Sequence, residues 1–348
     1  MNESEAVLTP QEIEAPAPPR AVVAAGRPRR WNRAGVASLL LLFVLLIGGG
    51  WYAWQDAGFQ TAAGKAVSGT YAELRKTLVE EIFLNPWFYA VFALVLVLER
   101  LVPAKAGQGS LSHGIRNDFL WVVVKMGIYA WMLPLYLAFL RFLYDRHLGF
   151  LTIQGVADWP WLARLLLALL FSDLIFYVTH VVRHKVAFLW YFHAVHHSQK
   201  ELNFFTEYRV HPVDDLFIYT IGFIPLFMVE HSFVTLVAIV WLRHWHTRLY
   251  HANIRSSFGP LRYVFVTPQS HRVHHSVEPR HHDKNFGLTF SLWDHLFGTQ
   301  YRKYDEYPDT GINDADFPFE QDPRSLGYLG SLFGQFLYPF RAILRHQG

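Results

Sequence analysis

The sequence predicts an all-α integral membrane protein with about four transmembrane helices, a re-entrant helical hairpin and a cytoplasmic histidine-rich helical cap. Three observations predict this class. Of the 348 residues, 52% are hydrophobic and 17% are charged, whereas an ordinary soluble domain has about 25% charged residues. Several apolar stretches reach or approach the roughly twenty residues that cross a bilayer as a helix. Thirteen of the nineteen histidines lie within residues 180–275, near the ends of such stretches.

The charge and the cysteine count exclude several kinds of protein. The formal net charge is only +3, and no basic and aromatic surface pattern indicates a nucleic-acid partner. The chain has no cysteine, which excludes disulfides, thiolate metal sites and a cysteine nucleophile. Imidazole and carboxylate groups therefore remain as the available metal ligands.

The N-terminal part predicts a disordered cytoplasmic tail at residues 1–33 followed by a transmembrane anchor at residues 34–54. The tail is rich in Pro, Ala and Glu and lacks apolar periodicity. It ends in a basic run formed by Arg27, Arg29, Arg30 and Arg33. A secretory signal is the alternative, but the apolar segment is long and begins far from the N-terminus. The arginines favour a cytoplasmic tail.

The next part predicts an outer connection at residues 55–86, with a short helix around Tyr71 to Phe83. Further crossings are predicted at residues 87–102, 119–143 and 161–177. Lys125 lies near a cytoplasmic end, where snorkelling to the interface is the favoured interpretation. The last of these crossings brings His180 to the cytoplasmic side. Residues 87–300 thus form the predicted catalytic domain, and residues 301–348 form a C-terminal extension that lies on the membrane surface or packs on that domain.

The apolar stretch at residues 215–241 predicts a re-entrant helical hairpin. Glu230 and His231 interrupt it, and each half is too short to span about 30 Å of hydrocarbon. A hairpin keeps His197 and His244 on the same side of the membrane, whereas a full crossing would separate the histidine clusters. This prediction therefore depends partly on shared metal ligation by those clusters.

Three histidine clusters have metal-ligand spacing: His180 and His184; His193, His196 and His197; His271, His274 and His275. Residues three and four apart share one face of a helix, so each cluster aims two or three imidazoles at one point. Neutral imidazole is a common ligand of iron, copper, nickel and zinc. A single histidine usually belongs to the surface or the core, but two boxes of identical spacing are hard to attribute to chance. Eight imidazoles are too many for one ion, which indicates a two-metal site.

Four further residues are candidates around this site. His251 is the favoured ninth ligand and His246 a weaker tenth, although both could line a solvated helix near the membrane surface. Asp173 lies seven residues before His180, on the same helix face. It either orients a ligand imidazole or is a buried polar group satisfied by a neighbouring helix. His211 is a further candidate for a position just outside the ligands.

The three boxes resemble those of the fatty acid hydroxylase and sterol desaturase superfamily. The flanking residues also match: Asp173, Tyr177, Leu189-Trp190, Val195-His-His-Ser198, Arg209-x-His211-Pro212, His251-Ala-Asn253 and Trp293-Asp-x-x-Phe297-Gly-Thr299. The resemblance covers roughly residues 87–299. Members of the superfamily act on sterols, fatty acyl chains, alkylglycerols, carotenoids and ornithine lipids, so the boxes do not identify the lipid.

The resemblance implies an integral-membrane, O2-dependent enzyme with a non-haem di-iron centre. The eight box histidines carry over as metal ligands, and His251 is the most plausible match for a further ligand. Some members carry a fused cytochrome b5. None is expected here, so electrons would come from an external NAD(P)H-linked donor through a separate ferredoxin or cytochrome b5 type protein.

These inferences predict a lipid hydroxylase or monooxygenase, with a desaturase of the same di-iron site as the alternative. A membrane metal-binding or transport protein is the alternative of another class, but transporters place ionisable groups along a mid-membrane pathway. A zinc hydrolase would need a general-base glutamate beside a box, and none of the three boxes has one. The expected location is the bacterial inner membrane with the site facing the cytoplasm, or the endoplasmic reticulum if the chain is eukaryotic.

Overall fold

The protein is built from helices throughout the residues that the structure, a computed structural model, describes: 33–76, 86–109, 112–229, 233–320 and 327–345. The helices are α1 (Arg33–Trp54), α2 (Ala57–Lys76), α3 (Pro86–Leu101), α4 (His113–Leu143), α5 (Trp161–Lys185), α6 (Ala187–His197), α7 (Pro212–Gly222), α8 (Ile224–Met228), α9 (Phe233–His251), α10 (Pro268–His274), α11 (Leu292–Phe297) and α12 (Gly327–Arg345). The predicted all-α class is confirmed. The predicted tail up to residue 32 and the Glu230-His231 interruption lie outside the described residues.

Two helices are long and apolar enough to cross a membrane: Ala34–Trp54 and Trp161–Lys185. The first exposes a nearly continuous apolar surface, including Phe43, Val44 and Leu45, which suits lipid rather than water. Among the other described helices, α3 has only 16 residues, and α4 carries Lys125 and Arg141 within its length. The four crossings and the re-entrant hairpin therefore stay predictions.

The predicted outer connection contains a longer helix than the sequence suggested. The helix α2 begins at Ala57, well before Tyr71, and residues 77–83 of the predicted short helix lie outside the described part of the chain. The Asp56 side chain accepts a hydrogen bond from the Phe59 backbone N–H over 3.0 Å and so caps the start of the helix. The Phe59 ring then packs against Phe142 of α4, at 5.5 Å between centroids. Tertiary packing thus stabilises a stretch of weak amphipathicity.

Lys125 does not snorkel as predicted. Its ammonium group lies 3.3 Å from the carboxylate of Asp215, and both side chains are about nine-tenths buried. A buried ammonium is costly unless a carboxylate pairs with it. This pair therefore joins α4 to α7.

The segment predicted to form a hairpin contains α7 and α8 and, after residues 230–232, which lie outside the described part of the chain, α9. The helix α7 ends at Gly222, where it meets α5 at close range: a Cβ atom at this position would lie 2.6 Å from the Phe176 ring. Only glycine allows the backbone to approach so closely. This contact fixes the point at which α7 packs on α5, four residues before His180 of the first histidine box.

The segment after residue 300 packs against the histidine-bearing helices. Phe317 and Tyr338 of this segment share a buried cluster with Trp121 of α4 and Val195 of α6. The indole N–H of Trp121 donates a 2.9 Å hydrogen bond to the side-chain oxygen of Gln335. Of the two positions predicted for the C-terminal extension, packing on the predicted catalytic unit is confirmed.

Candidate metal centre

The nine histidines predicted as ligands form two groups, and all of them are buried except the half-buried His184. The first group contains His180, His184, His193, His197 and His274, and the second contains His196, His251, His271 and His275. Within each group, the possible ligand nitrogens all lie within 4.8 Å of one another. The structure therefore brings together every predicted ligand, including His251, which lies outside the three boxes.

Each HxxHH box contributes to both groups. In α6, His193 and His197 are four residues apart and face the first group, while His196 points to the second. In the third box, His271 and His275 face the second group and the intervening His274 faces the first. The helical angle of about 100° per residue accounts for this division.

The two groups adjoin. The rings of His197 and His275, one from each group, are stacked with their centroids 4.3 Å apart. The third box is held in place by a capping box at the start of α10, where Thr267 and Ser270 satisfy each other's backbone N–H groups. Pro268 occupies the first turn, where no N–H is needed. The short helix therefore holds one edge of both groups.

Backbone carbonyls orient four of these nine imidazoles. The Nδ1–H groups donate hydrogen bonds of 2.7 Å from His180 to Phe286, 2.8 Å from His274 to Lys284, 2.8 Å from His251 to Thr247 and 3.3 Å from His196 to Arg209. A carbonyl oxygen can only accept, so the proton lies on Nδ1 and the lone pair on Nε2 faces the group. This is the tautomer that a metal ligand needs.

His193 is oriented by a carboxylate. Its Nδ1 donates to Asp214 over 2.9 Å, and the guanidinium of Arg183 donates to the same carboxylate oxygen over 3.1 Å. All three side chains are buried. A carboxylate acceptor makes an imidazole a stronger ligand. Sequence reasoning missed Asp214, because an acidic residue in the first turn of a helix is usually explained by the helix dipole.

Several buried nitrogens lack a hydrogen-bond partner and thus fit a bound cation. The Nε2 atoms of His180, His184 and His274 have none within the described part of the protein. In the second group, the Nε2 atoms of His271 and His251 approach to 2.8 Å. Buried polar atoms without partners are costly, and a cation in each group would supply the missing partner. The all-nitrogen donor set fits iron, copper, nickel or zinc.

Burial keeps these imidazoles neutral. It lowers the pKa of His251 and of His274 to about 4, and the hydrogen bonds to Thr247 and Lys284 oppose part of that shift. Burial and the neighbouring imidazoles lower the pKa of His271 and His275 well below the usual 6.5. Because only neutral imidazole ligates a metal, the groups are ready to bind one near pH 7.

A loop held by Asp294 supplies two of the carbonyl acceptors. The Asp294 carboxylate accepts hydrogen bonds from the backbone N–H groups of Phe286 at 2.7 Å and Gly287 at 2.8 Å. Burial raises the pKa of Asp294 to about 6. Gly287 is required for this fit, because a Cβ atom there would lie 2.6 Å from the Phe290 carbonyl oxygen. The loop thereby fixes the position of His180.

Asp173 supports the following turn of the chain. It accepts hydrogen bonds from the backbone N–H groups of Thr289 and Phe290 and from the indole N–H of Trp293, at 3.0 to 3.1 Å. The prediction that it orients a ligand imidazole directly is wrong. The alternative of a buried, satisfied carboxylate holds, with partners from a loop and α11.

The other two candidates lie outside both groups. His211 caps α7: its Nδ1 accepts from the Val213 N–H, and its Nε2 donates to the Phe336 carbonyl. His246 donates from Nε2 to the Val266 carbonyl over 2.9 Å. Both residues therefore have structural partners, and neither adds a nitrogen to the two groups.

Comparison with known proteins supports the resemblance. The family model described as fatty acid hydroxylase matches residues 165–299, which contain all nine grouped histidines. Alkylglycerol monooxygenase of Caenorhabditis elegans is 33% identical over 179 residues, covering 49% of this chain and 33% of the relative. Ornithine lipid hydroxylase OlsE of Rhizobium tropici is 26% identical over 239 residues, covering 67% of this chain and 71% of the relative.

A third relative, methylsterol monooxygenase 1 of Rattus norvegicus, is 32% identical over 149 residues, or 42% of this chain and 50% of the relative. The chain thus spans about a third of the alkylglycerol monooxygenase and half of the sterol enzyme. No solved structure matches. The boxes, their two-group geometry and the matched relatives together bear out the predicted resemblance: residues 165–299 match the fatty acid hydroxylase family, and the chain is similar to an alkylglycerol monooxygenase, an ornithine lipid hydroxylase and a methylsterol monooxygenase.

Proposed function

We propose that this chain is a membrane-bound, O2-dependent non-haem di-iron monooxygenase that hydroxylates a C–H bond of a lipid. The observation that carries this proposal is the pair of adjoining, buried groups of neutral imidazoles. The relatives are named for an alkylglycerol, an ornithine lipid and a methylsterol. Their head groups differ, but each substrate is a lipid with a large hydrocarbon part. We therefore assign the substrate to membrane lipids as a class.

In this proposal the first group holds one iron through its five imidazoles and the second holds the other through four. Such a centre, when bound, supplies the oxidising power for an unactivated C–H bond, which protein side chains lack. The protein positions the nine imidazoles, keeps them neutral and holds the Nδ1 protons of five of them on fixed acceptors. Raw affinity for nitrogen ligands favours zinc over Fe(II), so zinc in a purified sample is compatible with an iron enzyme.

Aromatic rings pack against the imidazoles of the first group. The Phe286 ring lies 5.0 Å from the His184 ring and 5.6 Å from the His180 ring. Trp190 lies 5.0 Å from His184, between centroids. These rings exclude water and provide an apolar surface for a hydrocarbon chain. We therefore propose that the lipid approaches the first group past Phe286.

The proposed setting is a multi-pass protein of the bacterial inner membrane, or of the endoplasmic reticulum in a eukaryote, with the site facing the cytoplasm. The exposed apolar surface of α1 and the length of α5 support a membrane location. Electrons would come from a separate ferredoxin or cytochrome b5 type protein with an NAD(P)H-linked donor.

A zinc hydrolase is disfavoured because both groups consist of histidine alone among the described residues. Asp214, the carboxylate that touches a ligand, already accepts from His193 and Arg183. It contacts His193 at Nδ1, on the side of the ring away from the Nε2 atom that meets His197 at 3.2 Å, and so is not placed to act as a general base on a water bound within the group.

Untargeted lipid mass spectrometry on cells with and without the gene tests the proposal. We expect one lipid class to gain one oxygen with the wild-type gene and with His246→Ala, which leaves both groups intact. The His196→Ala variant should produce no such lipid. Loss of two hydrogens instead would assign a desaturase. An unchanged lipidome with altered cellular metal content would assign a metal-handling protein.

A further inference from the structure

One surface of the protein carries six exposed apolar side chains in two segments. Leu261, Tyr263 and Val264 come from the 3-10 turn Gly259–Tyr263 and the residue after it, and Leu292, Leu296 and Phe297 come from α11. Leu296 is 66% exposed and Leu261 is 56% exposed. We call this surface the ledge. An apolar surface of this kind is unusual in contact with water.

The two segments of the ledge form one unit. The Ser291 N–H, just before α11, donates to the Val264 carbonyl over 3.0 Å. The Ser291 hydroxyl donates to the Arg262 carbonyl over 2.7 Å. The rings of Tyr263 and His295 lie 5.7 Å apart. The six side chains are therefore presented together and do not belong to independent loops.

The ledge is attached to the side of α5, a helix long and apolar enough to cross a membrane. The Trp293 indole donates to Asp173 over 3.0 Å, and the Phe297 ring stacks on Tyr177 at 5.4 Å between centroids. Asp173 precedes Lys185, the end of the helix, by twelve residues, which is about 18 Å along the axis. The ledge therefore packs on the apolar middle part of α5 and not on its C-terminal end.

The helix α5 itself exposes further apolar side chains. Leu166, Leu170 and Val178 are all exposed along the helix that carries the ledge. At the edge of the ledge, the Arg262 guanidinium lies over the rings of Tyr263 and Tyr304, at 5.2 and 4.3 Å from their centroids. Tyrosine and arginine at the border of an apolar surface are typical of the lipid head-group region.

We infer that the ledge inserts into the lipid bilayer beside α5, as a second membrane contact that does not span it. The apolar side chains would enter the boundary between head groups and acyl chains, to a depth of roughly 5–10 Å. The Arg262 guanidinium at the edge of the ledge would contact anionic head groups. This inference rests on the exposed surface and its attachment to α5, so it stands apart from the proposed reaction.

Because the chain has no cysteine, single-cysteine labelling tests the inference without background. The variants Leu296→Cys and Leu261→Cys are labelled with the fluorophore NBD in the full chain, which is reconstituted in vesicles of phosphatidylcholine and phosphatidylglycerol. Lipids with a spin label on the acyl chain serve as quenchers. Leu170→Cys provides the reference within α5. Lys303→Cys, whose side chain is 65% exposed, provides the aqueous control.

We expect blue-shifted emission at both ledge positions and quenching of at least about half of that at Leu170. The label at Lys303 should show aqueous emission and little quenching. Aqueous emission at Leu296 and Leu261 would overturn the inference. Blue-shifted emission without quenching by the lipid spin label would also overturn it, since it would indicate a contact with another protein or a second copy. Retention of bound metal by each variant checks that the fold is intact.

Discussion

The two histidine groups differ in how their imidazoles are held. In the first group, Asp214 holds His193, and the loop fixed by Asp294 holds His180 and His274. In the second group, His251 is held within its own helix by the Thr247 carbonyl. The Nδ1 atoms of His271 and His275 have no hydrogen-bond partner among the described residues. The first group is therefore anchored by distant parts of the chain, and the second mainly by short-range contacts.

Because of this difference, the two groups need not bind metal with the same affinity. Partners of ligand imidazoles tune both orientation and ligand strength. The first group has five imidazoles, one of which is bonded to the carboxylate of Asp214. The second group has four imidazoles. We expect the first group to bind its metal more tightly and the second to exchange it more readily.

The largest effect should come from removing one ligand from each group in turn. We expect His274→Ala to lose the metal of the first group and His271→Ala that of the second, each with loss of turnover. The loss of affinity should exceed the 10–100-fold typical of a lost supporting residue. Metal analysis of purified protein measures the retained fraction, which should be about half in each variant. His246→Ala, with an imidazole outside both groups, should keep the full content. Loss of all metal in either variant would show that the groups do not bind independently.

Acid should destabilise the metal-free protein through both groups. Above pH 6.5 the imidazoles are neutral in folded and unfolded chains. Below it, the unfolded chain takes up protons while His251 and His274 stay neutral until about pH 4. Stability should therefore fall as the pH decreases from 6.5 to about 4, by about 1.4 kcal/mol per pH unit for each such imidazole.

Thermal unfolding of the metal-free protein at a series of pH values measures this dependence. His251→Gln and His274→Gln should each make the decrease shallower to a similar extent, since glutamine does not titrate. The metal-loaded protein should resist acid further. A Tm that is constant between pH 6.5 and 4 would contradict the neutral, buried state of the imidazoles.

A smaller effect is expected for Asp214→Asn, which acts on the first group alone. The amide keeps a weaker acceptor for His193 but leaves the buried Arg183 without its anionic partner. We expect the first group's metal affinity to fall by roughly 10–100-fold, with the second group unchanged. Competition with a chelator separates the two affinities. Asp145→Asn, which removes an exposed carboxylate, is the control. An equal loss in both groups would show that Asp214 stabilises the fold generally.

The smallest effect is expected for Tyr177→Phe. The Tyr177 hydroxyl contacts the Thr299 hydroxyl at 2.9 Å, and Thr299 in turn donates to Asp294. Because Asp294 keeps its other partners, the cost should be about 0.5–1.5 kcal/mol of stability. The Tm should decrease by a few degrees while both metals remain bound. Loss of metal from the first group would instead show that the Tyr177 hydroxyl is needed to hold the Asp294 loop in place.

The sequence predicted which histidines lie together because their spacing is local. Residues three and four apart share a helix face, so the boxes identified His180 and His271 without any tertiary information. The supporting groups are not local: Asp214 is 21 residues from His193, and the Phe286 carbonyl is 106 residues from His180. No pattern in the sequence connects such positions, and only the folded chain shows which imidazole meets which acceptor.

The helices show the same limit. The helical class and the apolar segment of α5 could be predicted from composition and length. The start of α2 could not, since packing of Phe59 on α4 stabilises it. Lys125 was misread because its partner, Asp215, lies 90 residues away on another helix.

Contacts made by the C-terminal part of the chain, after residue 300, affect the order in which the protein can fold during synthesis. The guanidinium of Arg209, just after the second box, is neutralised by Glu320 at 3.0 Å, and His211 is bonded to Phe336. Ribosomes add roughly 5–20 residues per second, so all nine histidines emerge seconds before these partners do. A nascent chain therefore carries metal-binding imidazoles without the structure that arranges them. The contacts that support the second box are therefore complete only after translation has passed α12, and a stop codon before Glu320 would leave Arg209 with Asp118 as its remaining countercharge.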